Sequence, residues 1–476
     1  MRAATLLVVC LMLAPSSSAT ADTIVLKNGR RIVAENVTQD GDRVTYQTPA
    51  GELSIPKSIV ARVDRDDYTY SSASGASSGL PVSAPQAEPV RGYEEVAGLA
   101  VHNDSIDYKY LASLESDARS HSATAIAKVS AAHYAAAQFL FGKGDTDAAV
   151  DQYRQALVFD PGNSGLLLNL AVLCLRQSQF TAALDPLERA RRVAPDSADV
   201  AKLTGWAYYG ANKIPQAIEE WKRAERLRPD QEVEQALAKA ERDKAEEESY
   251  REGETAHFDL KYHGGATPDL ARGILRALED DFRDLESELD YAPREQIGVI
   301  LYTEQAFADI TRAPGWVGAL NDGRLRIPVQ GLTQVTPELA RVLKHELTHS
   351  FVGQKSHGRA PTWLQEGVAQ WMEGRRSSSA AAALVDAVGE ATAPQFGSLD
   401  GSWMGLSGNS AAFAYAWSLA VVESIVDAGS VTDISRLLDR LATSSSTEAA
   451  LQQTLHLDYA DLQQQTLAYL KHAYVR

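Results

Sequence analysis

The feature that most restricts how this chain can fold is a 34-residue period. Pro161, Pro195 and Pro229 are spaced by 34, as are Ala149, Ala183 and Ala217, and again Ala156, Ala190 and Ala224. A self-similar period of this length fits a stacked pair of helices. The alanines let the paired helices approach closely, while Tyr153, Leu187 and Trp221 fill one matching large position. Each proline closes a unit, because it has no N–H with which to continue a helix. The units run near 130–163, 164–197 and 198–231 and predict an all-α solenoid spanning about 95–253. Cys174 takes the place of Leu140 and Tyr208 in the neighbouring units, so it reads as packing rather than as a reactive thiol. An extra helix is predicted from Ile106 to Val129. Gln231 to Tyr250, rich in Ala, Glu and Lys, reads as a solvated or capping helix.

A second constellation carries chemistry. Thr336-Pro337-Glu338 supplies a cap, a proline at the first helical position and an acidic first turn, and Leu339, Val342, Leu343, Leu347 and Phe351 follow at helical spacing. His345 and His349, four apart in that helix, share one face and can converge on one cation. Catalytic zinc usually takes three protein ligands and keeps a position for water. Pro361-Thr362 starts a second helix with Trp363, Leu364, Val368, Ala369 and Met372 on its apolar face, which makes Glu366 the third candidate ligand. Glu346 is then the candidate general base.

His345-Glu346-Leu347-Thr348-His349 followed by Trp363-Leu364-Gln365-Glu366-Gly367 resembles the gluzincin metallopeptidases, specifically the peptidase MA-like branch often fused to helical repeats. The 34-residue units resemble the tetratricopeptide repeat. The peptidase resemblance runs from about Thr255 to the C-terminus within a domain expected over 254–476. It implies an α+β fold with a helical C-terminal lobe, one Zn2+ per chain, and a peptide or protein substrate in a cleft between the lobes. Residues 256–262, 270–289 and 297–302 read as strand, helix and buried strand in keeping with it. Arg324-Leu325-Arg326-Ile327-Pro328-Val329 reads as an edge strand or strand end, an open edge to which a peptide could add. Gly318-Ala319-Leu320-Asn321-Asp322 resembles the amine-binding stretch of the aminopeptidase group, with Asn321 replacing its glutamate, which favours an endopeptidase; a plain turn is the competing reading. Ala414-Tyr415-Ala416-Trp417 resembles the family's tyrosine-bearing helix, so Tyr415 is a candidate oxyanion donor, with a core role as its alternative. The third metzincin histidine has no counterpart: Lys355 stands there, and His357 reads as a loop residue.

The rest of the chain supplies setting. Residues 1–21 have an early arginine, an apolar run from Leu6 to Ala14 and Ala19-Thr20-Ala21, which read as a secretory signal peptide and imply an exported, periplasmic or secreted protein. Without Cys10, only Cys174 remains, so no intrachain disulfide can form. Residues 22–64 carry short alternating strands separated by turns and predict a small SH3-like barrel. Residues 65–94, rich in Ser, Gly, Pro and Ala, read as a flexible linker. Arg375-Arg376-Ser377-Ser378-Ser379 is expected to be exposed, with helices near 411–428, 431–443, 446–455 and 458–473. A net charge of −17 argues against nucleic acid or an anionic membrane surface as partner, and no later run is expected to span a bilayer. The repeats offer a groove for a protein partner. Two functions stand: a zinc metallopeptidase, and a non-catalytic tetratricopeptide scaffold with an inactive peptidase-like domain.

Overall fold

The computed structural model describes residues 21–26, 31–41, 43–48, 51–64, 93–263, 266–303, 306, 320–321, 323–329, 332–389, 396–401, 403 and 408–475. The expected leader, the linker and the stretch 314–319 lie outside them, apart from Ala21, which begins a strand, and Tyr93 and Glu94 at the start of a helix. Two compact units emerge, one built mainly on residues 1–71 and the other on 72–404 with 411–476.

The first unit holds one antiparallel sheet made from β1 (Ala21–Leu26), β2 (Arg31–Asp40), β3 (Arg43–Thr48), β4 (Gly51–Pro56) and β5 (Val60–Asp64). Its order is β4-β3-β2-β1-β5. Gly41 makes the tight β2–β3 turn at a positive φ, a backbone region that glycine enters without strain. A closed SH3-like barrel is not supported: β4 and β5 are opposite edges, and among the described residues no pairing joins them.

The second unit starts with α1 (Glu94–Ala100), a two-residue hairpin of β6 (Val101–His102) and β7 (Ser105–Ile106), and α2 (Tyr108–Ala118). The single helix expected over 106–129 is therefore broken. His121 takes a left-handed backbone conformation, and Ser122 caps α3 (Ala123–Gly142) by accepting from the Ala125 N–H. The helix pairs α3/α4 (Thr146–Phe159), α5 (Ser164–Arg176)/α6 (Phe180–Val193) and α7 (Ala198–Gly210)/α8 (Ile214–Leu227) then stack, and α9 (Gln231–Glu247) closes the array. All six periodic alanines are at most 1% exposed, and Tyr153, Leu187 and Trp221 are buried beside them. Gly205 shows why the small positions stay small, since a Cβ there would fall within the Trp221 indole.

The remaining chain forms a five-stranded mixed sheet in the order β11-β12-β10-β9-β8. Its strands are β8 (Arg251–Glu254), β9 (Phe258–Tyr262), β10 (Ile297–Tyr302), β11 (Leu320–Asn321) and β12 (Arg324–Pro328). Two helices share a core with the sheet: α10 (Pro268–Leu289), through Leu270, Ile274, Leu278 and Phe282, and α11 (Pro337–Lys355), through Leu343, Leu347 and Phe351. β12 is not an edge. It pairs in parallel with β10 and antiparallel with β11, so among the described residues the edge strands are the short β11 and, at the far side, β8.

After α11 come α12 (Thr362–Met372), α13 (Ala381–Gly389), α14 (Gly408–Ala428), α15 (Val431–Thr443), α16 (Thr447–Thr454) and α17 (Tyr459–Ala473). Contrary to the sequence expectation, Ser410–Ala428 is long and apolar enough to cross a bilayer by length and composition, with a mean hydropathy of 1.3. In this fold 61% of that stretch is buried, with Trp417, Val421 and Ile425 in the core. Within the stretch 375–379, Ser377 is buried, where its N–H donates to Glu423.

Candidate metal centre

Helix α11 begins where the sequence places it, with Thr336 Oγ1 accepting from the Leu339 N–H and Pro337 at the first turn. Its apolar stripe faces the core and leaves His345 and His349 together on another side, with ring centroids 4.9 Å apart. Helix α12 starts after Pro361, and Trp363, fully buried, fixes that end by donating Nε1–H to Asp400 at 3.0 Å. Gly367 allows α12 to lie directly against the backbone of α14 at Ser418. This contact sets Glu366, one residue earlier, over the histidines.

Glu366 Oε2 stands 3.5 Å from His345 Nε2, and Oε1 stands 3.7 Å from His349 Nε2. One ligand atom from each residue falls within 4.8 Å of the others. Glu366 Oε2 is buried with no hydrogen-bond partner, a deficit that a cation would meet. Two imidazole nitrogens and a carboxylate are a zinc donor set, so these residues fit the ion.

The electrostatics of the cluster are uneven. Burial opposes charge on His345, but Glu366 and Glu373 outweigh it and raise the imidazole to about 10. Burial wins at His349, which falls to about 4. Burial raises the Glu346 carboxyl to about 7, against the pull of His345. It acts in the same sense on Glu366, where the two histidines overcome it and hold the carboxylate below its usual range.

Three supports of this cluster were not read from the sequence. Glu373 is nearly buried, places Oε1 3.5 Å from His345 Nδ1, and is itself paired with Arg375 at 2.7 Å. It lies seven residues after Glu366, two helical turns on, and that spacing was the available signal. Gln370 donates to the carbonyls of Glu366 at 3.1 Å and Tyr415 at 2.9 Å, joining α12 to α14. Asn321 is 5% exposed and spends its amide on α11, donating to the Glu346 carbonyl at 2.8 Å and Ser350 Oγ at 2.7 Å. Its side chain is thus turned into the helix rather than toward a substrate amine.

Tyr415 lies on α14, close enough to Glu366 and Glu346 for their charges to add to burial in raising its phenol, and its ring meets Trp403 edge-on at 5.1 Å. His357 takes a left-handed turn just after α11, outside the cluster.

A helical solenoid joined to a mixed-sheet domain with a two-histidine, one-glutamate cluster is the arrangement implied by the sequence resemblance to tetratricopeptide repeats followed by a peptidase MA-like domain. Comparison with known families agrees: residues 290–472 match the Peptidase MA superfamily, and residues 140–206 match the tetratricopeptide repeat. No curated protein matches the chain. Among solved structures it is similar to the first tetratricopeptide domain of human RPAP3, at 23% identity over 25% of this chain and 94% of that one, with a TM-score of 0.24. It is also similar to MamA from Desulfovibrio magneticus RS-1, at 22% identity over 34% of this chain and 88% of that one, with a TM-score of 0.26.

Proposed function

We propose that this chain is an exported zinc-dependent endopeptidase. The observation that carries the reading is the convergence of His345, His349 and Glu366 within 4.8 Å, with Glu346 beside them on the same helix as the histidines. His345, His349 and Glu366 would hold the zinc, whose chemistry when bound would be to lower the pKa of water and polarise the scissile carbonyl.

The chain's own groups do the rest. Glu346, brought near neutrality by burial, accepts a proton at its carboxylate and returns it to the departing amine. Glu373 holds His345 at Nδ1, leaving Nε2 for the metal. The Tyr415 phenol, kept protonated by burial, donates to the developing oxyanion. The open edge at β11 takes peptide backbone as an added strand, which gives sequence-tolerant binding. Asn321 stands where the aminopeptidase group has its amine-binding glutamate, and its amide is committed to α11, which supports cleavage within chains. The repeats provide a site for a protein partner.

The test is zinc content of purified residues 22–476 and of His349→Ala, followed by hydrolysis of dye-labelled casein. One zinc lost in His349→Ala, and cleavage lost in a zinc-replete Glu346→Gln, are the expected results. Equal casein turnover by Glu346→Gln and wild type would sink the mechanism.

A further inference from the structure

Helix α9 is rich in charge, yet Asp243 is fully buried and Glu247 is 8% exposed. They face two arginines of β12, Arg324 and Arg326, which are 1% and 0% exposed and point to one side of the strand because side chains alternate along it. Arg326 makes a two-pronged contact with Asp243, each prong 2.9 Å, and also donates to Tyr302 of β10 at 2.7 Å and Tyr209 of α7 at 3.2 Å. Arg324 grips both oxygens of Glu247 at 2.7 and 2.8 Å. In this cluster the repeat array supplies the anions and the sheet supplies the arginines. Such a cluster holds its geometry firmly, because separating the partners strands a charge away from water.

From β12 the connection continues toward the metal centre. Leu325 pairs with Asn321 of β11, and Asn321 grips α11 at Glu346 and Ser350. The β11–β12 pair is therefore fastened to the repeats on one side and to the Glu346 turn on the other. Two further contacts fix the repeat edge to this domain, Asn212 to Asp259 at 2.6 Å and the Thr181 N–H to Glu295 at 2.7 Å.

We propose that Asp243 and Glu247 are positioning residues for Glu346. By fixing Arg324 and Arg326 they set β12, through β12 they set Asn321, and through Asn321 they set the turn of α11 that carries the base. The repeat array is in this sense a structural wall of the peptidase domain. The catalytic part of the inference rests on the function proposed above, whereas the mechanical part does not.

The test uses full-length, zinc-loaded protein carrying Asn321→Ala, Asp243→Asn or Glu247→Gln, and the doubles with Asn321→Ala. Amide hydrogen exchange at residues 321–326 and 346–350 reads the mechanical link, with the α16 amides as control. Each single variant is expected to speed exchange at those two segments at least about tenfold, and by clearly more than at the α16 amides. On casein it should lower kcat about tenfold, with KM and zinc affinity within about twofold of wild type. Because the links act in series, each double should lose little more than Asn321→Ala alone. Losses that multiply in the doubles, or exchange that rises equally in the α16 amides, would overturn the proposal and leave a purely structural cluster. If Asp243→Asn does not fold, Glu247→Gln, at the less deeply buried carboxylate, decides by the same readings. A wild type that binds no zinc or cleaves nothing refutes the proposed function, and the exchange arm still judges the link.

Discussion

Gly367→Ala puts one methyl group where the structure has no room. A Cβ at Gly367 would lie 2.7 Å from Val422 Cγ2 and 2.9 Å from the Ser418 carbonyl carbon, and closer still to its oxygen. Ordinary contact begins near 3.4 Å, so α12 and α14 must part by about half an ångström to one ångström at Ser418. Backbone cannot rotate aside as a long side chain can. Overpacking of this kind costs about 1–3 kcal/mol, while replacing glycine by alanine inside a helix returns roughly 1 kcal/mol. The net loss of stability without metal is therefore about 0–2 kcal/mol, too small to be diagnostic. Zinc affinity is diagnostic, because Glu366 is the neighbouring residue and ligand distances tolerate only about 0.2 Å. A fall of about 10- to 100-fold is expected, which removes about 1.4–2.7 kcal/mol of zinc-dependent stabilisation. Chelator competition measures the affinity, and thermal unfolding with and without zinc measures the stabilisation. Gly253→Ala in β8, where the nearest atom is Leu275 Cδ1 at 3.4 Å, is the matched control and should change neither. Wild-type zinc affinity in Gly367→Ala would refute the argument that this contact aims Glu366.

Other outcomes follow from the same geometry. Glu373→Ala should weaken zinc by about 10- to 100-fold by freeing His345 Nδ1, and unchanged chelator competition would remove Glu373 from the site. Since His345 without metal stays protonated up to about 10 and Glu346 is raised to about 7, zinc binding at pH 7 should displace between about one and two protons, read by calorimetry in two buffers of different ionisation enthalpy. Burial raises Asp281 from 3.8 to about 6 against the pull of Lys344, so its neutral form is the one the fold favours. Its contribution is complete below pH 3.8 and is lost as pH rises through 6. Relative to Asp281→Asn, wild-type stability should fall by on the order of 2–3 kcal/mol across that window, and parallel denaturant curves at pH 4 and 7 would contradict it. Cys174, buried and raised to about 11, should resist iodoacetamide at pH 7 until the chain unfolds.

Where the sequence was legible, the signal was periodic or capped. The repeat period located the alanine contacts, and Thr336-Pro337 and Pro361-Thr362 located the starts of the helices that bear His345, His349 and Glu366. What escaped depended on partners distant in the chain. Asp243 and Glu247 sit among Lys, Glu and Arg in α9, and a charged helix with no visible partner reads as solvated. Their partners, Arg324 and Arg326, lie far downstream on β12, where no local spacing ties them to α9. The task of Asn321 escaped for a related reason: a family alignment locates a residue along a strand but does not say which neighbour its amide will satisfy. The break at His121 was local but weak, resting on one residue in a left-handed conformation.

The buried cluster also bears on how the repeats and the sheet can be separated. Asp243→Asn would leave Arg326 paired with a neutral group in a dry setting, and breaking one partner of such a pair costs about 3–5 kcal/mol. Replacing Asp243 and Arg326 together by Leu and Met should cost far less, because no charge is then stranded. A thermal unfolding series over the two singles and the double measures this directly. If the double is as unstable as the worse single, the arginines contribute packing that Met cannot supply, and the ionic account of the interface is wrong. If it recovers most of the loss, the charges are dispensable for holding the repeats to the sheet. Any remaining defect in the β11–β12 segment of that stable double would then isolate what the ion pairs add beyond stability, the placement of a strand beside the metal centre.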